Sequence, residues 1–158
     1  MSDTPQNRLA ALGITLPDAP APAANYIPFV QTGNLLFISG QVPMVNGAIE
    51  ITGKVGDNVS IEQAQGQARI CAINILAQAN AATKGDLSKI KRIVKLGGFV
   101  ACTDDFSNQP EVINGASDLM ADVFGEAGQH ARFAVGTNAL PRGVVVEIDA
   151  VIELHGAH

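Results

Sequence analysis

The sequence predicts an α+β sandwich, a mostly antiparallel sheet with two helices on one face, in a single domain of ordinary size. Three observations predict it. Strand-like segments NLLFIS and KRIVKLGGFVAC come before and between two stretches with helical apolar spacing. Two strand-like segments follow, split by Pro141-Arg142-Gly143. The last of them, VVVEIDAVIEL, is apolar on both faces except for its acids.

In chain order, Asp3 or Thr4 can cap a short helix through Leu12, with Pro5 acceptable in its first turn. PDAPAPAANYIP carries too much proline for a helix and reads as an extended lead-in. Residues 1–22 thus form a helix and lead-in, and residues 23–158 form the domain. Asn34–Ser39 is the first strand. Asn46-Gly47 is a two-residue hairpin turn before a strand at Ala48–Thr52. Ser60 opens the first main helix through a capping box with Gln63. Its core stripe is Ile61, Ala64, Ala68, Cys71, Ile75 and Ala79, and Gly85 ends it. Lys91–Cys102 is a strand loosened by Gly97-Gly98. Pro110–Phe124 is the second main helix. Arg132–Leu140 and Val144–Leu154 close the chain as an expected hairpin.

Charged residues are only 16% of the chain and hydrophobic ones 47%, against a usual quarter charged. Two helices cover one face of a sheet, yet the closing strand is largely apolar on both. A second copy of the chain is the economical cover, so homo-oligomerisation is expected. The net charge of -5, ten basic residues and a single tyrosine argue against nucleic acid as a partner. No apolar run reaches membrane-spanning length, and no signal peptide is recognisable, so the expected location is the cytoplasm. Cys71 and Cys102 lack metal-ligand spacing and read as packing residues. His130, His155 and His158 form no ligand set, and neither phosphate-loop nor hydrolase motifs occur.

Glu147 is the first candidate for chemistry. A strand glutamate is most often solvent-facing, but Val145 and Val151 share its face, and a partner copy should cover that face. Burial there would raise its pKa toward a useful acid–base range. Arg132 heads its strand in HARFAV, where its planar fork can hold a carboxylate through two parallel bonds. In the expected hairpin Leu140 pairs Val144, which sets Glu147 opposite Thr137, roughly 17 Å from Arg132 and on the other face. Either the two serve different parts of one ligand or one acts across a subunit boundary. Asn114 lies opposite the apolar stripe of its helix. Ser39-Gly40 ends a strand and offers a hydroxyl and a backbone N–H to an anion.

RFAVGTNALPRGVVVEIDAV, NLLFISGQVP and VING together resemble the reactive intermediate deaminase, or YjgF-like, family, over about residues 23–154. The resemblance implies a chorismate-mutase-like fold and a homotrimer with ligand clefts between subunits. The implied chemistry is hydrolysis of enamines and imines such as 2-aminoacrylate to a keto acid and ammonia, without metal or organic cofactor. By the same resemblance Arg132 binds the substrate carboxylate, Glu147 activates water and moves a proton, and Phe29, Ser39, Gly40 and Asn114 line the cleft. Phe29 stands where the family usually has a cleft tyrosine, and Ala134 where a cysteine is frequent. The alternative is a non-catalytic module that binds or senses small keto or amino acids through the same arginine.

Overall fold

A computed structural model describes residues 3–22 and 24–156; Ala23, at the expected boundary, and His158 lie outside them. Helix α1 (Pro5–Ala11) is capped by the Thr4 side chain, which accepts from the Asn7 N–H. Five strands form the main sheet: β1 (Phe29–Thr32), β2 (Leu35–Gln41), β5 (Ile90–Ala101), β6 (Ala131–Thr137) and β7 (Val146–Leu154). Their spatial order is β1-β2-β7-β5-β6. A separate ribbon pairs β3 (Met44–Val45) with β4 (Ala48–Ile49) across Asn46-Gly47. Both turn residues have positive φ, the conformation that a two-residue hairpin of this kind requires.

Helices α2 (Ile61–Ala82) and α3 (Gln109–Phe124) pack on the same face of the sheet. The expected capping box is present: the Ser60 hydroxyl accepts from the Gln63 N–H, and the Gln63 side chain accepts from the Ser60 N–H. Between α2, α3 and the sheet lies a core that includes Leu36, Ile38, Ile75, Leu76, Ile93, Leu96, Ile113, Leu119, Ile148 and Ile152. Leu9 of α1 joins the same core. Among the described residues no helix is long and apolar enough to cross a membrane.

Two expectations about the sheet need correction. Strands β6 and β7 are not a hairpin: both flank β5, β6 in parallel and β7 antiparallel. Pro141-Arg142-Gly143 forms a short 3-10 turn rather than a hairpin loop, and Val144 bridges Thr52 instead of pairing Leu140. The sheet is therefore mixed, because α3 carries the chain from the end of β5 back to the start of β6, the kind of crossover that parallel neighbours need. Strand β1, which the sequence pattern does not predict, is short and lies at an edge.

The sheet face opposite the helices carries Val30, Phe37, Phe99 and Val135, with exposures of 49%, 43%, 41% and 42%. Cross-strand pairing of Val30 with Phe37 and of Phe99 with Val135 joins them across both halves of the sheet. An apolar sheet face of this extent is unusual on a protein that stays monomeric.

Helices α2 and α3 meet closely at a glycine. A Cβ on Gly115 would lie 2.1 Å from the Gln65 carbonyl oxygen, whereas one on Gly66 would meet nothing within 4 Å. Gly115→Ala should therefore destabilise by about 1–3 kcal/mol through overpacking. Gly66→Ala should stabilise by about 0.5–1 kcal/mol through helix propensity. Urea unfolding of the two variants checks the contrast; equal effects would remove the close helix approach as the explanation.

Candidate functional site

Strand β7 is central in the sheet, and its alternation places the acids as the sequence suggested. Val146, Ile148, Ala150, Ile152 and Leu154 are buried beneath the helices, while Glu147, Asp149 and Glu153 occupy the other face. Next to Glu147 the pairing of β2 with β7 slips: Ile38 faces Ala150, but Gln41 faces Ile148. Three steps on β2 thus match two on β7, a bulge that contains Ser39 and Gly40. A Cβ on Gly40 would lie 2.2 Å from Glu147 Oε2. Glycine at position 40 is what lets the carboxylate lie against the β2 backbone.

Glu147 is half-buried and accepts no hydrogen bond from, and pairs with no cation of, any described residue. Burial, and then the charge of Asp149, push its carboxyl above the usual glutamate range. It borders a cavity of about 320 Å³ with Gly40, Gln41, Val42, Met44, Tyr26, Pro28, Pro141 and Arg142. Pro20, Ala21, Pro22 and Ala24 of the lead-in form its remaining wall. Ser39 turns its hydroxyl to the Ile27 carbonyl (2.9 Å), so it ties the lead-in to β2.

Several residues around this cavity escaped the sequence reading. Asn74 of α2 donates to the Val42 and Met44 carbonyls at 3.0 and 3.1 Å, and Gln78 donates to the Pro20 carbonyl at 2.7 Å. Both are buried and hold opposite walls in place. Their signal was two amides four positions apart in a helix otherwise apolar at those turns. Tyr26 brings a phenol to the cavity, while Phe29 is partly buried against the core. Arg142 lines the cavity in a left-handed backbone conformation (φ 60°) and has no hydrogen bond or ion pair among the described residues.

Arg132 stands elsewhere. It pairs Leu96 on β5, whereas Glu147 pairs Phe99, three residues along. An odd step puts the two on opposite faces, about 10 Å apart along the strands and two strand spacings apart across them. The opposite faces match the expectation, although they arise from a shared neighbour and not from a hairpin. The Arg132 guanidinium reaches α3, donating to Ser117 Oγ at 3.0 Å and to the Pro110 carbonyl at 3.2 Å. Asn114 lies four residues after Pro110 and three before Ser117, on the same helix stripe. Within one chain the candidates thus fall into two groups: Ser39, Gly40 and Glu147 at the cavity bulge, and Arg132 and Asn114 at edge strand β6 and α3.

Cys71 is fully buried beneath this region, with Sγ 3.7 Å from the Val146 carbonyl, and burial followed by the Glu147 charge pushes its thiol up. It is a packing residue. Among the described residues no group of acids, histidines and cysteines is arranged to hold a metal ion.

The raised Glu147 carboxyl has a stability consequence. Folded protein holds this proton more tightly than the unfolded chain, so stability falls as pH rises from the ordinary glutamate range through the folded value. Glu147→Gln should unfold at higher urea concentration than wild type at about pH 8, with the difference vanishing below about pH 3 where both states are protonated. A variant less stable than wild type at the higher pH would contradict the burial penalty.

The family described as "YjgF/chorismate mutase-like, putative endoribonuclease" matches residues 6–154. Protein TCP17 of Trypanosoma cruzi is 46% identical over 98% of this chain and 99% of its own length. The crystal structure of Atu1372, a protein of unknown function from Agrobacterium tumefaciens, is 54% identical with a TM-score of 0.90, covering 96% of this chain and 92% of that one. A 2-iminobutanoate/2-iminopropanoate deaminase of Dermatophagoides farinae is 29% identical over 88% of this chain and 93% of its own length. With its mixed five-stranded sheet, its helices and this match over nearly the whole sequence, the chain belongs to the YjgF/RidA family.

Proposed function

We propose that the protein is a metal-independent enamine/imine deaminase that hydrolyses 2-aminoacrylate-like intermediates to keto acids and ammonia. The observation that carries this reading is Glu147, a half-buried carboxylate without a partner among the described residues, held against Gly40 at the edge of a cavity. A carboxylate with a raised pKa is suited to take a proton from water and return it to a departing amine. The relative from Dermatophagoides farinae bears the name of an imine deaminase, which supports the reaction class.

In the proposed reaction the enamine CH2=C(NH2)COO⁻ takes a proton from solvent at its terminal carbon to give the iminium. Water, relieved of a proton by Glu147, adds to the iminium carbon. Glu147 returns that proton to the nitrogen of the resulting carbinolamine, ammonia leaves, and the hydroxyl proton passes to solvent as the carbonyl forms. The products are pyruvate and ammonia, and the water oxygen becomes the new carbonyl oxygen.

The substrate carboxylate is assigned to Arg132. Its guanidinium is held only by neutral acceptors, so two of its five N–H groups are engaged and its charge is uncompensated among the described residues. Because Arg132 and Glu147 lie on opposite faces of one sheet, the complete site joins Arg132 and Asn114 of one subunit to the Gly40–Glu147 cavity of the next. A homotrimer fits this reading and covers the apolar face of Val30, Phe37, Phe99 and Val135. Phe29 packs against the core, next in sequence to Pro28 of the cavity wall, and contributes no polar group.

Two outcomes test the proposal. Light scattering should give the mass of three chains, and Val135→Asp should reduce it toward one by placing a charge in the covered face. Ammonia release from enzymatically generated 2-aminoacrylate should exceed the uncatalysed rate. Glu147→Gln should lower kcat by about a hundredfold or more, and Arg132→Ala should chiefly raise KM. Wild type no faster than the uncatalysed reaction, with pyruvate still bound through Arg132, would favour the binding module instead.

A further inference from the structure

Arg132 is held by a chain of hydrogen bonds that runs past its immediate partner. Ser117 Oγ, which accepts from Arg132 Nη1 at 3.0 Å, also lies 2.9 Å from His130 Nε2. His130 Nδ1 lies 2.6 Å from the Gly128 carbonyl. A carbonyl oxygen only accepts, so Nδ1 carries a proton, and in the neutral ring Nε2 is left with a lone pair. The Ser117 hydroxyl then donates to Nε2, which turns its own lone pairs toward the arginine. Each member has one role: the Gly128 backbone sets the His130 tautomer, His130 sets the Ser117 rotor, and Ser117 sets the guanidinium.

We propose that Ser117 and His130 are positioning residues for the carboxylate-binding arginine, fixing which of its N–H groups face the ligand. The proposal rests on the reading of Arg132 as the carboxylate anchor. Three side-chain or backbone anchors on α3 and the turn before β6 hold one guanidinium: Pro110, Ser117 and, through Ser117 and His130, Gly128. An arginine on an edge strand has many rotamers, and bidentate recognition needs one of them. Fixing that rotamer before the ligand arrives removes its ordering cost from binding. Neutral acceptors do this without neutralising the charge, which a carboxylate partner would do.

The alternative is that these bonds merely staple α3 to β6. Calorimetric titration with pyruvate, the product of the proposed reaction, separates the two roles, with pyruvamide as the uncharged control. Ser117→Ala and His130→Leu should weaken pyruvate about five- to tenfold, the equivalent of one orienting hydrogen bond, and leave pyruvamide unchanged. Ser117→Thr keeps the hydroxyl, and His130→Gln places an amide oxygen at the Nε2 position; both should restore most of the affinity. In an Arg132→Ala background, Ser117→Ala should have no further effect on pyruvate.

Pyruvate affinity unaltered in Arg132→Ala, or no pyruvate binding by wild type, would remove Arg132 as the anchor and this inference with it. Pyruvate weakened by Arg132→Ala but not by Ser117→Ala or His130→Leu would leave the anchor standing and overturn the positioning role alone. An additive double variant, or equal losses for pyruvate and pyruvamide, would establish a staple and likewise overturn the positioning role.

Discussion

The carboxylate of Glu147 lies where a side chain on residue 40 would otherwise be, and much of the architecture around it follows from that contact. Strand β7 is buried under α2 on one side, so its acids can stand only on the other. There the slip between β2 and β7 inserts an extra residue and turns Gly40 beneath the carboxyl group. A regular ladder with a larger residue would force the carboxylate away from the cavity. The bulge and the glycine are thus one device: the first bends β2 away, and the second leaves the space.

Walls alone do not make a cavity, because an extended proline-rich segment has no internal hydrogen bonds to keep it in place. Helix α2 supplies what the lead-in lacks. Gln78 binds the Pro20 carbonyl, Asn74 binds Val42 and Met44, and Ser39 of the bulge binds Ile27. These bonds satisfy backbone groups that would otherwise be costly beside an apolar space. Gln41 closes the set, with its amide donating to the Ser39 carbonyl. Polar side chains from helix α2 and strand β2 therefore determine the shape of a site whose lining is mainly apolar.

Charge is distributed with similar economy. Burial, and then the charge of Asp149, make Glu147 hold its proton more tightly than in water. Arg132 has neutral partners, so its charge stays available. Neither group satisfies the other within the chain, since their partners on β5 are an odd number of positions apart. In the proposed reading a site that uses both closes with a second copy docked on the apolar face of the same sheet.

The sequence by itself determined the elements and their faces. Helical spacing located α2 and α3, the capping box located the start of α2, and alternation put Glu147 opposite the core face of β7. These are local properties, readable from neighbours a few residues apart. Only the tertiary structure decided the order of the strands. VVVEIDAVIEL and HARFAV are adjacent in sequence, so a hairpin was the natural expectation, but α3 returns the chain to the far side of β5 and leaves β7 to the centre. The parallel partnership of β6, the bulge at Ser39-Gly40, the lead-in wall with Tyr26 and the bonds from His130 to Arg132 all depend on that placement. Each joins residues whose meeting is set by strand order and helix packing, and no periodicity along the chain records it.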